Sequence, residues 1–199
     1  MDIILASNNH GKIKEFQQLL SSLDVFLLPQ ATFNINSAAE TGLTFVENAL
    51  LKARHASKSG ALPAIADDSG LEVDCLNGAP GIKSARFAGK NSSDIENNRL
   101  LLERLRGIPP SQRTARYQCI IVYLRHPNDP IPIICHGTWE GFIAENSLGS
   151  NGFGYDPLFI VKETRCRAAE LGQDEKNKIS HRSKAMKQLL NVLRNQKKI

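Results

Sequence analysis

The chain has 199 residues, of which 41% are hydrophobic and 23% charged, and it carries a formal charge of +5. This composition belongs to a soluble globular protein and excludes a low-complexity or disordered chain. No apolar run approaches the ~20 residues needed to cross a bilayer, which excludes a membrane-spanning helix.

The length allows one ordinary core or a compact body of two lobes. The surplus of positive charge suits a polyanionic partner, either nucleic acid or a phosphorylated small molecule, although part of it lies in Arg194, Lys197 and Lys198 near the C-terminus. The opening apolar run covers only residues 3–6 and basic residues follow it. It therefore reads as a buried strand and not as an export signal, and a cytoplasmic location is expected. Cys75, Cys119, Cys135 and Cys166 are scattered without a C-x-x-C pair, which argues for reduced thiols. Cys119 and Cys135 lie in strand-like runs and are expected in the core.

Taken in chain order, residues 2–7 read as a strand. From residue 12 to 23, Ile13, Phe16, Leu19, Leu20 and Leu23 recur at helical spacing. Residues 25–28 read as a second strand ended by Pro29, and this strand–turn–helix–strand opening is the usual start of an α/β sheet. Residues 44–59 form a helix with Thr44 and Glu47 as a capping box and Gly60 as its stop. Strands at 62–66 and 71–73 flank Asp67-Asp68-Ser69-Gly70, and a glycine-rich loop covers 77–90. A helix at 93–106 ends at Gly107. Two long β-rich runs, 115–125 and 131–143, read as an antiparallel hairpin that forms the second lobe. A glycine-rich loop at 146–156 and a short strand at 157–161 follow. A last helix runs from the N-cap Ser180 to about residue 195.

Four segments concentrate chemistry. The turn Ser7-Asn8-Asn9-His10-Gly11-Lys12 lies between a strand and a helix, where backbone N–H groups and the helix dipole favour an anion and Lys12 adds a cation. It is neither a Walker A loop nor a G-x-G-x-x-G turn, and an ordinary turn with an exposed lysine is the plain alternative. Asp67 and Asp68 end an apolar strand, where hard carboxylate oxygens suit Mg²⁺ and one acid suits a general base. The plain alternative is an Asp-Ser-Gly turn, and Glu40 is available as a third carboxylate. The loop holding Phe153, Gly154, Tyr155 and Asp156 lets a ring stack on a planar base, or else packs its aromatics into the core. Lys176, His181 and Arg182 place basic groups at the start of the last helix, where they oppose the helix dipole unless an anion or a purine edge meets them.

The segments SNNHGKIKEF, ETGLTFVENALLKA, ADDSGLEVD, GAPGIKSARFAG, GFGYDPLF and KISHRSKA resemble, in this order, the inosine/xanthosine triphosphate pyrophosphohydrolase family (dITP/XTP diphosphatases). The likeness covers residues 3–193. It implies hydrolysis of ITP, dITP and XTP between the α and β phosphorus atoms, giving a monophosphate and pyrophosphate and cleansing the nucleotide pool of deaminated purines. It further implies a homodimer and a single two-lobed α/β domain over 1–199, with an elongated mixed sheet flanked by helices and the active site in a cleft between the lobes. The resemblance puts phosphate binding on Ser7, Asn8, Asn9, His10, Gly11 and Lys12, and Mg²⁺ on Glu40 and Asp68. It makes Asp68, or Asp67 beside it, the base, with Ser69 as a substrate contact. Phe153, Gly154, Tyr155 and Asp156 form the base-recognition loop, and Lys176, His181 and Arg182 meet the 6-oxo edge of the purine. Asn8 and Ser183 stand where the family often has glycine, which touches affinity and not the reaction. The rival readings are a Maf-like nucleotide pyrophosphatase with another base preference, whose first turn carries a Ser-x-Arg-Arg pattern absent here, and a basic nucleic-acid-binding module.

Overall fold

The structure, a computed structural model, describes residues 1–20 and 25–196; Leu23, expected in the first helix, lies outside the described residues. The chain gathers into two compact units, one made of Met1–Asp68, Cys119–Gly137 and the stretch from Arg182 onward, the other of Ser69–Gln118 and Thr138–His181. Six strands hydrogen-bond in the order β2-β1-β3-β4-β5-β6: β1 (Asp2–Leu5), β2 (Phe26–Pro29), β3 (Ala64–Val73), β4 (Thr114–Leu124), β5 (Ile133–Ile143) and β6 (Phe159–Val161). β1 is parallel to β2 and to β3, whereas β6 is antiparallel to β5, so the sheet is mixed.

The first unit follows from strand alternation. Side chains at every second residue share a face. On one face, Ile3, Leu5 and Ile65 pack with Phe16 and Leu20 of α1 (His10–Leu20) and with Ala185, Met186 and Leu189 of α5 (His181–Gln196). On the other, Ile4, Ala6, Ala64 and Ala66 pack with Ala49, Ala53 and Ala56 of α2 (Phe45–Gly60). Three alanines along one stripe of α2 bring its backbone close to the strands. That helix starts where its capping box says it must: Thr44 accepts from the Glu47 amide and the Glu47 carboxylate accepts from the Thr44 amide.

The second unit has its own core, in which Leu71 and Val73 pack with Leu101 and Leu105 at the end of α3 (Asp94–Arg104), and with Trp139, Tyr155, Leu158 and Phe159. Its aromatic centre is tight: Tyr117 and Phe159 centroids are 4.7 Å apart and Trp139 and Phe159 5.3 Å. Gly141 lets β6 close on β5, because a Cβ there would strike the Ile160 carbonyl and the Phe159 ring.

The structure corrects three expectations. Asp67-Asp68-Ser69-Gly70 is no turn; it lies inside the ten-residue strand β3, whose flanks are buried on both faces. The 115–143 hairpin is not a lobe in itself, since 119–137 belongs to the first unit and the rest of both strands to the second. Lys176 is not on the last helix but on a separate short helix α4 (Gln173–Ile179), which has acids in its first turn and lysines later, a dipole-matched order without an apolar stripe. Among the described residues no helix is long and apolar enough to cross a membrane.

Cys119 and Cys135 are buried, as expected, while Cys75 and Cys166 are exposed. Burial pushes the Cys135 thiol up to about 11. A thiol reagent at pH 8 is therefore expected to titrate two cysteines rapidly in the native protein and four only after denaturation; rapid labelling of all four would contradict this packing.

Candidate active site

The strand period decides what each of the two adjacent aspartates meets. Asp67 shares the face of Ile65, covered by α1 and α5, and Asp68 shares the face of Ala64 and Ala66, covered by α2. Asp67 is 2% exposed, and its Oδ2 accepts from Lys12 Nζ of α1 at 2.7 Å. Arg182, in the first turn of α5, lies with its Nε 3.9 Å from the same oxygen and bonds Glu15 of α1 through Nη1. Burial alone would raise the Asp67 carboxyl. Lys12, Arg182 and Lys52 override it and hold Asp67 well below the usual carboxylate range. Asp67 is thus held as an anion against Lys12, with Arg182 close by.

The expected phosphate turn is present in the same unit. Asn9 caps α1: its Oδ1 accepts from the Lys12 amide at 3.0 Å and its carbonyl from Ile13 at 2.9 Å. The Asn9 amide donates to Ser7 Oγ at 3.2 Å, and Asn8 Nδ2 donates to Ser37 Oγ at 3.0 Å. Asn8, Asn9 and His10 are exposed and Gly11 is partly exposed, so the helix N-terminus and its dipole are open to a ligand.

Asp68 sits in a different company. Lys52 Nζ donates to Asp68 Oδ1 and to Glu40 Oε1, each at 2.9 Å. Asn48, fully buried one turn earlier on α2, donates through Nδ2 to Asp68 Oδ2 at 3.3 Å. Its Oδ1 accepts from the Gly42 amide at 2.8 Å and so ties down the loop that carries Glu40. Burial raises the Asp68 carboxyl above its ordinary value, against the pull of Lys52. Burial likewise opposes charge on Lys52, yet Asp68, Asp67 and Glu40 raise it, so it is an ammonium. Lys52 and Asn48 were not singled out from sequence. The signal was their i, i+4 spacing, which puts both on one face of a helix whose next stripe is the Ala49, Ala53, Ala56 contact with the strands.

Glu40 and Asp68 fit the hard oxygen ligands that Mg²⁺ takes. Among the described residues no group of three or more His, Cys, Asp or Glu side chains is placed to hold a metal. Mg²⁺ characteristically uses one or two carboxylates with water and substrate phosphates, and this carboxylate pair already shares one cation.

In the second unit, Asp156 is the organising acid. It is 2% exposed, and its Oδ2 accepts from Lys176 Nζ at 2.6 Å and from the Phe153 amide at 2.9 Å. Tyr117 donates its hydroxyl to Asp156 Oδ1 at 3.3 Å. Lys176 Nζ also lies 5.1 Å from the Phe153 ring centroid, so the ring carries a cation over one face. Gly152, at φ +79, is required here: a Cβ would run into the Asp156 carboxylate and approach Lys176 Nζ at 3.1 Å. The His181 ring stacks on Tyr117, centroids 4.7 Å apart and planes within 9°. Gly154 is fixed by its amide donating to Asp94 at 2.7 Å and its carbonyl accepting from Asn98 at 2.9 Å. Tyr155 is 3% exposed and donates to the Ser84 carbonyl at 2.8 Å, which makes it an anchor of the core beneath the loop. Ser69 is partly exposed, at the first position of this unit.

The structure therefore brings Lys12, Glu40, Asp67, Asp68 and Arg182 into one unit and Phe153, Asp156, Lys176 and His181 into the other. The Arg182 guanidinium is buried and ion-pairs with Glu15, with its Nε 3.9 Å from Asp67, while the neighbouring His181 ring stacks on Tyr117.

Because Asp67 is depressed, its stabilising contribution is complete above the unfolded carboxylate value near 4 and is lost as pH falls below it. Asp67→Asn is expected to cost on the order of 3 kcal/mol at pH 7, the low end for a broken buried pair, since Lys12 can turn to water. Denaturant unfolding should show this gap constant above pH 5 and shrinking below pH 4; a gap independent of pH would contradict the assignment.

The sequence matches the Ham1 family over residues 3–192. It is 55% identical over 98% of its length to a dITP/XTP pyrophosphatase of Vibrio vulnificus, covering 97% of that protein, and 53% identical over 96% of its length to one of Photobacterium profundum, covering 98% of it. The solved HAM1 protein of Coxiella burnetii superposes with a TM-score of 0.92 at 50% identity, covering 98% of this chain and 99% of that one. The Ham1 protein of Staphylococcus aureus gives 0.87 at 40% identity, with 98% and 100% covered. With the fold, the family match over residues 3–192 and the sequence identity over nearly the whole chain in agreement, the chain belongs to the Ham1 family.

Proposed function

We propose that the chain hydrolyses deaminated purine nucleoside triphosphates, dITP, ITP and XTP, to the monophosphate and pyrophosphate, and so clears them from the nucleotide pool. The observation that carries the reading is the pair of adjacent buried acids with different partners: Asp67 bonds Lys12 with Arg182 close by, and Asp68 shares Lys52 with Glu40. One acid fixes cations for a polyanion, and the other is able to take a proton.

The chemistry assigns as follows. The α1 N-terminus and Lys12 hold phosphate oxygens and take up the charge that develops on the leaving pyrophosphate. Asp68 accepts a proton from a water as its oxygen bonds the α phosphorus and the bond from that phosphorus to the bridging oxygen breaks. Arg182 is tied to this phosphate end through Asp67. Mg²⁺ bound by Glu40 and Asp68 supplies charge neutralisation at the phosphate oxygens. In the other unit, Phe153 stacks the base and Lys176, oriented by Asp156, donates to the 6-oxo group. A donor at that position favours hypoxanthine and xanthine over adenine, whose exocyclic amine is itself a donor. His181, held on Tyr117, borders the same set. A homodimer in the cytoplasm accords with this reading and rests on family resemblance. A nucleic-acid-binding role finds no support beyond the net charge, and the family assignment sets the Maf-like reading aside.

Asp68→Asn is expected to lower kcat for dITP by about 10²- to 10⁴-fold, the worth of a general base, with the fold intact by circular dichroism. Lys176→Met should lower kcat/KM for dITP by about 10- to 100-fold, the scale of a charge-assisted hydrogen bond, while the slow turnover of dATP changes little. Equal losses on dITP and dATP would remove Lys176 from base recognition, and full activity of Asp68→Asn would remove Asp68 from proton transfer.

A further inference from the structure

Glu40 and Asp68 carry two negative charges on a loop and a strand that Asn48 ties together, and Lys52 Nζ stands between them at 2.9 Å from each. The Lys52 side chain is 13% exposed, Asp68 9% and Glu40 28%, so water screens the Asp68 side of this arrangement weakly and reaches it from the Glu40 side. An ammonium making hydrogen bonds of that length fills the place where a small cation would touch both carboxylates. A Mg²⁺ or Mn²⁺ ion on the same two oxygens, at its much shorter bond length of about 2.0–2.2 Å, would face an adjacent positive charge with no room between. The two cations exclude one another. Lysine, unlike arginine, is a compact charge on a flexible four-carbon stem, so it is able to leave when a better set of anionic oxygens is offered.

From this geometry we propose that Lys52 is a built-in competitor for the divalent ion. Its ammonium neutralises the Glu40–Asp68 pair in the resting protein, keeps free metal out, and turns to phosphate oxygens when a metal–triphosphate complex enters. The metal then arrives with the nucleotide and not before it, and Asp68 Oδ1 is released from its ion pair only when substrate is present. This inference rests on the reading of Glu40 and Asp68 as the metal-holding pair.

Binding of Mn²⁺ to the nucleotide-free protein, followed by loss of the free-ion electron paramagnetic resonance signal, tests it without reference to turnover. Lys52→Met is expected to bind Mn²⁺ at least tenfold more tightly than the wild type, and Lys52→Arg, which keeps a cation, is expected to show no such gain. Lys52→Gln provides the same test with a polar chain of similar reach, and thermal unfolding in the absence of metal establishes that each variant is folded. Adding Glu40→Gln to Lys52→Met should abolish the gain. If Lys52→Met and Lys52→Gln bind Mn²⁺ no better than the wild type, while Glu40→Gln weakens binding throughout, the competition is refuted and the metal pair stands. If Mn²⁺ binds none of these proteins, with or without dITP, the metal pair itself is wrong and the inference falls with it.

Discussion

A carboxylate buried beside two cations constrains the whole of the first unit. Asp67 in β3 meets Lys12 from α1 and lies near Arg182 from α5, while Glu15 of α1 returns to Arg182. Removing either partner would leave an uncompensated charge in the core, so α1, β3 and α5 have to keep their mutual placement. The cap of α1 and the packing of Phe16 and Met186 around Ile65 then follow from a geometry that the ion network demands. In the proposed reading stability and function share this arrangement, because Lys12, which satisfies Asp67, also lies in the first turn of α1.

The second unit solves a similar problem with another acid. Asp156 holds Lys176, the Phe153 amide and the Tyr117 hydroxyl, so one buried carboxylate orients the cation, the backbone beside the stacking ring and the aromatic that carries His181. The two networks are built from residues far apart in sequence. The chain passes from one unit to the other between Asp68 and Ser69 and again between His181 and Arg182, within two of the segments that carry the family likeness. Neighbouring residues of one motif thereby fall in different units: Asp68 in the first and Ser69 in the second, His181 in the second and Arg182 in the first.

Much of this was legible in the sequence, for physical reasons. The capping box of Thr44 and Glu47, the apolar spacing of the first helix and the β-branched opening strand are local signals, and each appears where it was expected. What escaped was nonlocal. Ser69 and Gly70 read as a turn because nothing local shows that β3 has neighbours on both sides. α4 lacks an apolar stripe, so periodicity had nothing to report. Nothing local marks Lys52 until Glu40 and Asp68 are brought to it, and nothing local shows that Arg182 pairs with Glu15, 167 positions away in the chain. The strand period was available, however. Adjacent acids in a strand face opposite ways, and that alone gives Asp67 and Asp68 different partners, Lys12 for one and Lys52 for the other.

In the proposed reaction Asp68 directs water to the α phosphorus while the Lys12 end of the unit holds the departing pyrophosphate. Hydrolysis of dITP in ¹⁸O-labelled water with Mg²⁺, followed by phosphorus NMR, reads it directly. The account predicts one ¹⁸O in the phosphate of dIMP and none in pyrophosphate. Label in the pyrophosphate would place the attack at the β phosphorus, and release of dIDP with orthophosphate would place it at the γ; either result would contradict the account.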